Sequence, residues 1–186
     1  MNPIPISFIG LFFSLLLLHI QPQLPMDYQT YIIRQGTHRS VNSFEFVNST
    51  QFRFEVIFDS SAVYKTRNPE NQADINKLYG FSDCFSSHQE NSTRFGWRWY
   101  QNRLELHAYC YKNGERISEF ITAIDLHRAY ICEINLSEQK YIFKLNGVTR
   151  EVPRTCAGNG LGYKLYPYFG GDETAPHDII IKIRDL

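Results

Sequence analysis

Apolar and polar residues alternate along most of this chain, in short runs that recur about every ten to fifteen residues between clusters of Gly, Asn, Pro and Ser. In the run from Phe52 to Phe58, every second residue is Phe or Val. Asn113-Gly114 and Asn146-Gly147 each separate two such runs, and Asn-Gly is a strong signal for a two-residue hairpin turn. The pattern therefore predicts an all-β protein, an antiparallel β-sandwich that closes with a strand over Asp178 to Arg184.

One segment departs from this alternation and predicts a helix. Asn68-Pro69-Glu70 has the residues of a helix start, and Gly80 is suited to a helix end, so at most one short helix is expected, over Ala73 to Tyr79. No repeat, linker or low-complexity tract divides the sequence. Residues 26–186 are therefore expected to form a single domain.

The first 25 residues have a different composition. From Ile4 to Ile20 no side chain is charged, and this stretch is short for a full membrane span. It predicts a signal peptide over residues 1–25; an uncleaved membrane anchor is the alternative, because no basic region precedes it and no Ala-x-Ala site lies near Gln21 to Pro25. The protein is thus expected to be secreted, periplasmic or on the cell surface, with no membrane contact beyond this leader.

Export makes the four cysteines candidates for disulfide bonds. They are Cys84, Cys110, Cys132 and Cys156. Three ways of joining them in two pairs are open, as is the alternative that some are buried thiols. No Cys-x-x-Cys or matching His spacing is present, so no metal site is predicted from them.

Charge and composition limit the partners of the domain. Lys and Arg number 19 together, as do Asp and Glu, and the two signs are interleaved. Such a chain lacks the basic footprint of a nucleic-acid-binding protein. The 14 Phe and 12 Tyr favour strands and supply flat rings on which sugars stack, which indicates a carbohydrate partner. The sequence leaves the oligomeric state open.

The segment from Arg94 to Tyr109 predicts a hairpin that turns at Gln101-Asn102. One face of the hairpin is then wholly apolar and belongs to the core. It pairs Trp99 with Leu104, Trp97 with Leu106 and Phe95 with Ala108. A shift of one residue would mix the two faces, which fixes the register.

The other face of this hairpin is polar and is the first candidate site. It pairs Arg98 with Glu105, Gly96 with His107 and Arg94 with Tyr109. On a concave sheet, the Arg and His side chains would bind hydroxyls or a carboxylate, Tyr109 would stack on a sugar ring, and Gly96 would leave space for a ligand beside His107. The alternative is a solvated sheet face with an ordinary ion pair between Arg98 and Glu105.

A second candidate site lies between Gly162 and Gly171, where alternation places three ligand-binding candidates on one side. They are Lys164, Tyr166 and Tyr168. Packing of the tyrosines is the alternative. The loop that follows, Asp172 to Asp178, gathers carboxylates and a His; no cofactor is predicted, but calcium is the ion that such a loop would hold.

The predicted strand order, the Tyr141 to Gly147 hairpin and the closing segment from Tyr168 to Ile183 resemble the concanavalin A-like lectin and glucanase superfamily, which includes laminin G-like modules. The resemblance spans most of residues 26–186. It implies a jelly roll whose concave sheet binds glycans, and in some branches a hydrolase or a lyase. The Glu-x-Asp-x-x-Glu strand of the hydrolase branch is absent, which argues against cleavage by paired carboxylates.

The alginate-lyase-like branch of that superfamily uses an Arg, a His and a Tyr on the concave face. The resemblance therefore implies Arg98, His107 and Tyr166 as catalytic candidates, although the Arg-x-Glu-x-Arg, Gln-Ile-His and Tyr-Phe-Lys-x-Gly motifs of that branch are not reproduced. Arg98 would neutralise a uronate carboxylate, Tyr166 would act as base or acid, and His107 would share the proton transfer.

Two functions of different classes follow, and a third stays open. The sequence favours an exported, non-catalytic module that recognises a polysaccharide or oligosaccharide, because no complete catalytic motif is present. The alternative is a lyase that cleaves a uronic acid polymer by β-elimination. An envelope or adhesion protein that binds another protein is the third possibility.

Overall fold

The computed structural model describes residues 27–41 and 43–186. The predicted signal peptide lies outside the described residues. Within the described ranges, no helix has the length and apolar character needed to cross a membrane.

Two antiparallel sheets of six strands each form the fold. The strands of the back sheet are β1 (Gln29–Ile33), β3 (Gln51–Phe58), β8 (Tyr130–Leu136), β9 (Lys140–Leu145), β10 (Val148–Pro153) and β12 (Ile179–Asp185). Those of the front sheet are β2 (Phe46–Ser49), β4 (Asn76–Ser82), β5 (Ser92–Tyr100), β6 (Arg103–Lys112), β7 (Glu115–Ile124) and β11 (Gly160–Leu165). The spatial orders are β1-β12-β3-β8-β9-β10 and β2-β11-β4-β5-β6-β7, and the predicted jelly-roll β-sandwich is confirmed.

The core lies between the two sheets and is rich in aromatic rings. The alternating residues of β3 are buried as the pattern predicts, and Phe54 meets Phe95 of the front sheet edge to face at 5.7 Å. Trp97 and Phe58 pack beside them, with ring centroids 5.3 Å apart. Side chains of this size bury enough apolar area to hold the sheets together.

Both predicted Asn-Gly hairpins are confirmed. Asn113-Gly114 joins β6 to β7, and Asn146-Gly147 joins β9 to β10. All four residues have φ between 50° and 82°, the left-handed backbone that a type I′ turn requires.

The helix expected over Ala73 to Tyr79 is wrong, because this segment leads into strand β4. The helical structure among the described residues consists of two 3₁₀ turns, Ser60–Ala62 and Pro69–Ala73, and Asn68 caps the second by accepting a hydrogen bond from the Glu70 N–H. Gly80 does not end a helix. It is glycine because a Cβ there would stand 2.1 Å from the carbonyl oxygen of Thr93 on the neighbouring strand.

Two of the four candidate cysteines form a disulfide bond, between Cys84 and Cys156. This is consistent with the oxidising compartment that export implies. Cys110 and Cys132 are instead free thiols at core-facing positions of β6 and β8. Burial raises the pKa of both, to about 12 for Cys110, so these two residues act as small apolar core side chains.

Candidate functional site

Strands β5 and β6 pair in the register that the sequence predicts. Arg98 lies opposite Glu105, Gly96 opposite His107 and Arg94 opposite Tyr109. The turn is at Gln101-Asn102, where both residues have positive φ. The apolar residues of this hairpin face the core, so its polar residues lie on the outer face of the front sheet.

At one end of this outer face, polar side chains gather around a buried carboxylate. The Glu105 side chain is 1% exposed and accepts hydrogen bonds from Nε of Arg98 and Nε of Arg103, each at 2.7 Å. Nε2 of His107 lies 3.3 Å from the same carboxylate. These four residues are called the Glu105 cluster.

The negative charge of Glu105 is compensated within the Glu105 cluster by Arg98 and Arg103. Burial alone would raise the pKa of Glu105, but the hydrogen bonds from Arg98 and Arg103 outweigh it, and the pKa is lowered. Burial, followed by the charge of Arg98, lowers the pKa of His107, which is therefore neutral at neutral pH. The cluster holds one ionised carboxylate between two guanidinium groups, so the buried anion and the Arg98 cation have their partners within the fold.

The segment before β4 covers this end of the face. Arg98 Nη1 donates to the carbonyl oxygen of Ala73, and Cγ2 of Ile75 lies 2.5 Å from the point where a Cβ of Gly96 would stand. The space expected beside His107 is therefore filled by Ile75. Gly96 is needed for this close approach, and it does not open a ligand site.

The other end of the outer face is an open groove of about 590 Å³. Four basic side chains line it: Arg39, Lys77, Arg94 and Lys164. Five tyrosines also line it: Tyr109, Tyr111, Tyr163, Tyr166 and Tyr168. None of the described lining residues is Asp or Glu. The groove is therefore a positively charged channel with aromatic walls.

Arg94 is a buried cation of the groove that pairs with no described carboxylate, whereas the buried Lys164 pairs with Glu45 and Asp185. Arg94 is 6% exposed, and its Nε has no hydrogen-bond partner among the described residues. Burial lowers the pKa of Arg94. Its guanidinium lies over the Tyr109 ring at 5.4 Å, which attracts the cation and leaves its N–H donors free. A buried cation without an anion is costly, so this position is suited to an anionic ligand.

Lys77 lies beside Arg94 on the floor of the groove. The backbone of Lys77 pairs with that of Tyr168, and the Lys77 ammonium lies 5.2 Å from the Tyr109 ring and 5.7 Å from the Tyr168 ring. Burial, together with the nearby charges of Arg94 and Arg116, lowers the pKa of Lys77 to about 8. The Lys77 and Arg94 cations thus both lie against the Tyr109 ring.

A tyrosine and a histidine form a hydrogen-bonded pair on the wall of the groove. The hydroxyl of Tyr163 accepts from the backbone N–H of His88 at 3.1 Å and lies 2.9 Å from Nδ1 of the same residue. Burial, followed by the charge of Arg94, lowers the pKa of His88. Neutral His88 therefore accepts the Tyr163 O–H at Nδ1, a pair that can donate and accept a proton.

Lys164, Tyr166 and Tyr168 all line the groove, but they do not share one side as alternation predicted. Lys164 lies over the Tyr79 ring and pairs with Glu45 at 2.5 Å. Tyr166 packs on Tyr79 and Tyr31, and only Tyr168 faces the groove floor beside Lys77. Strand β11 ends at Leu165, so its alternation does not continue through Tyr166 and Tyr168. Among the described residues, no hydrogen bond or ring contact joins Tyr166 to Arg98 or His107.

Two carboxylates of the acidic loop expected to suit calcium accept hydrogen bonds from backbone N–H groups of other segments. The Glu173 carboxylate accepts from the N–H groups of Arg67 and Asn68, and Asp178 accepts from the N–H of Gln35. These two carboxylates therefore tie down different segments of chain. Calcium binding stays a prediction and is not part of the function proposed for this protein.

Several groove residues were not identified from the sequence. Lys77 lies in the strand that was predicted as helix, and His88 meets Tyr163 across 75 residues of chain, for which the sequence carries no local signal. Arg39 lies in the connection between β1 and β2. Tyr111 had a signal, because it continues the alternation of Glu105, His107 and Tyr109 along β6.

No protein-family model matches this chain, and no curated protein matches it either. Among solved structures, alginate lyase vAL-1 from Chlorella virus is similar, with a TM-score of 0.53 and 10% identity over 85% of this chain and 82% of that chain. The family 7 alginate lyase A1-II′ in complex with product has a TM-score of 0.53 and 11% identity over 86% and 80%. A galectin of Caenorhabditis elegans, LEC-6, has a TM-score of 0.44 and 11% identity over 87% and 94%.

The two lyases share the fold of this chain and little of its sequence. They confirm the jelly-roll fold that the sequence resemblance implied. At such low identity the likeness carries no residue assignments.

Proposed function

We propose that the protein binds an acidic polysaccharide or oligosaccharide, with carboxylate groups on its sugar rings, in the groove of the front sheet. The observation that carries the proposal is Arg94, a guanidinium that is nearly buried in the groove floor and has no partner for Nε. A carboxylate of the ligand would supply the missing anion, in the fork geometry that guanidinium groups favour.

The rest of the groove suits the same ligand class. Lys77 and Arg39 provide further positive charge along the groove, and no described lining residue is acidic. The partly exposed rings of Tyr111 and Tyr168, which line the groove, supply flat surfaces on which sugar rings would stack. A neutral glycan would leave the Arg94 charge uncompensated. The groove therefore favours an acidic chain over a neutral one.

The test compares acidic polymers with neutral polymers of the same backbone. Calorimetry would measure binding of alginate and polygalacturonate, and of their carboxyl-reduced forms. We expect the acidic forms to bind and the reduced forms to bind at least about tenfold more weakly, since a charged hydrogen bond is lost at each site.

Two arginine variants locate the site. Arg94→Ala should weaken binding by about 30-fold, since it removes the buried cation. Arg53→Ala is the matched control, because Arg53 lies on β3 of the back sheet and pairs there with Glu133. Equal binding by the Arg94 variant and the wild type would contradict the proposal.

A second candidate function, a β-eliminating lyase on a uronic acid polymer, is favoured by the pair of His88 and Tyr163. Such a reaction removes the proton beside a neutralised carboxylate and protonates the leaving oxygen. His88 and Tyr163 lie in the groove with Arg94, whereas His107, the histidine first expected to act, belongs to the closed Glu105 cluster.

Ultraviolet absorbance of unsaturated sugar ends separates the lyase from a binding module. If the protein is a lyase, the signal should appear with uronate polymers, be lost in Tyr163→Phe and survive in a folded His107→Gln variant. Binding without any absorbance change would leave only the binding module.

A further inference from the structure

A row of exposed aromatic rings lies beside the groove, on the same face of the front sheet. Phe46 of β2 is directly opposite Tyr163 of β11, which lines the groove. The Phe44 ring stacks on Tyr163 at 5.9 Å, and Phe46 meets the Phe85 ring at 6.2 Å. Phe44, Phe46 and Phe85, called here the aromatic platform, thus continue the wall of the groove toward the sheet edge.

The three phenylalanines are unusually exposed for this residue type. Phe44 is 75% exposed, Phe85 is 74% and Phe46 is 54%. In a chain whose other aromatic rings largely fill a core, three adjacent exposed rings mark a contact surface.

The turn that holds Phe85 has a strained backbone. Cys84 and Phe85 both have positive φ, 57° and 52°, a region that bulky residues rarely adopt. The turn is fixed by the Cys84–Cys156 disulfide and by a hydrogen bond from the Phe85 N–H to the carbonyl oxygen of Leu161. The strained turn directs an apolar ring into solvent, so burial in the folded chain does not explain it.

We propose that the aromatic platform is a second binding region for the same saccharide chain, occupied only when the chain is long enough to leave the groove. This inference rests on the function proposed for the groove. We assign the same saccharide to both regions because they are continuous: Tyr163 belongs to the groove wall and also stacks on Phe44.

The two regions would divide the recognition of one polymer. The groove binds carboxylates through its cations, and the platform stacks the apolar faces of sugar rings without regard to charge. The protein would therefore select polymers over short fragments. Its affinity would rise with chain length by about tenfold or more once the platform is filled.

The experiment measures binding of a galacturonate trisaccharide and of a long oligogalacturonate to the purified protein. The main variant combines Phe44→Ser, Phe46→Thr and Phe85→Asn; Asn is used at position 85 because it tolerates positive φ. All three positions are exposed, so the fold should persist, and the single variant Phe44→Ser repeats the test with less change.

The expected result is a wild type that binds the long chain about tenfold more tightly than the trisaccharide, and a triple variant that binds both as the wild type binds the trisaccharide. Equal affinities of wild type and triple variant for the long chain would overturn the platform alone. Failure of the wild type to bind even the trisaccharide would overturn the groove function. A triple variant that changes only the oligomeric state would show that the rings join copies of this chain.

Discussion

The two ends of the front sheet's outer face are built from the same two strands, yet one is closed and the other open. In each, an arginine of β5 lies opposite a residue of β6, Arg98 opposite Glu105 and Arg94 opposite Tyr109. The first pair forms an ion pair at 2.7 Å, whereas the second brings the guanidinium over a ring at 5.4 Å.

The cross-strand partner decides whether each arginine serves the fold or a ligand. A buried carboxylate satisfies the N–H donors of a guanidinium and fixes it in place. A tyrosine ring attracts the cation through its face and leaves those donors unpaired. The difference between Glu105 and Tyr109, the residues of β6 that face the two arginines, thus separates the Glu105 cluster from the groove.

A carboxylate placed in the groove should prevent ligand binding there, and this is the largest effect that we expect on affinity. In Tyr109→Glu the new side chain would pair with Arg94 as Glu105 pairs with Arg98, and its charge would repel an acidic chain. We expect the affinity for polygalacturonate to fall about a thousandfold, measured by calorimetry.

Tyr109→Phe is the control for this change, because it keeps the ring beneath the Arg94 and Lys77 cations. It should retain most of the wild-type affinity. If Tyr109→Glu bound polygalacturonate as tightly as Tyr109→Phe, the partner of Arg94 would not determine ligand binding.

Removing the carboxylate of the Glu105 cluster should weaken the fold and leave the groove intact. Glu105→Gln leaves Arg98 without its anion, and we expect a loss of about 3 kcal/mol in the free energy of unfolding, measured in urea. Arg94→Met should cost far less, because Arg94 has no ion pair to lose. Equal losses in the two variants would contradict the division of the face.

Lowering the pH should also show that the Glu105 carboxylate stabilises the fold. The pKa of Glu105 is lowered in the folded protein, so its stabilisation is present above the unfolded pKa and is lost as pH falls through the folded value. The wild type should therefore lose more stability on acidification than Glu105→Gln does. Urea midpoints measured across the acid range test this, and parallel curves would exclude it.

The sequence predicts the fold well wherever burial alternates strictly. The hairpin from Arg94 to Tyr109 was predicted pair by pair, since any other register would place Trp97 among polar residues. Strand β4 was missed because Leu78 and Tyr79 are consecutive and both buried, at a bulge that removes the period of two.

The candidate site was predicted only in part, because local pattern does not report what covers a sheet. Arg94 and Tyr109 were placed on the correct face, but nothing local to them indicates that Ile75 packs on Gly96 and closes the other end. The cost of an unpaired Arg94 is likewise a property of the assembled groove.

The smallest predicted effect is a pH dependence of binding, which arises because the open groove contains a titratable cation. Burial, together with the charges of Arg94 and Arg116, lowers the pKa of Lys77 to about 8, and Asp74 opposes this only partly. Lys77 loses its proton as pH rises through that value, so affinity for an acidic chain should fall about fivefold between pH about 7 and about 9. Lys77→Arg keeps its charge over this range and should bind almost equally at both values. A wild type and a Lys77→Arg variant with the same pH profile would show that Lys77 does not contact the acidic groups of the ligand.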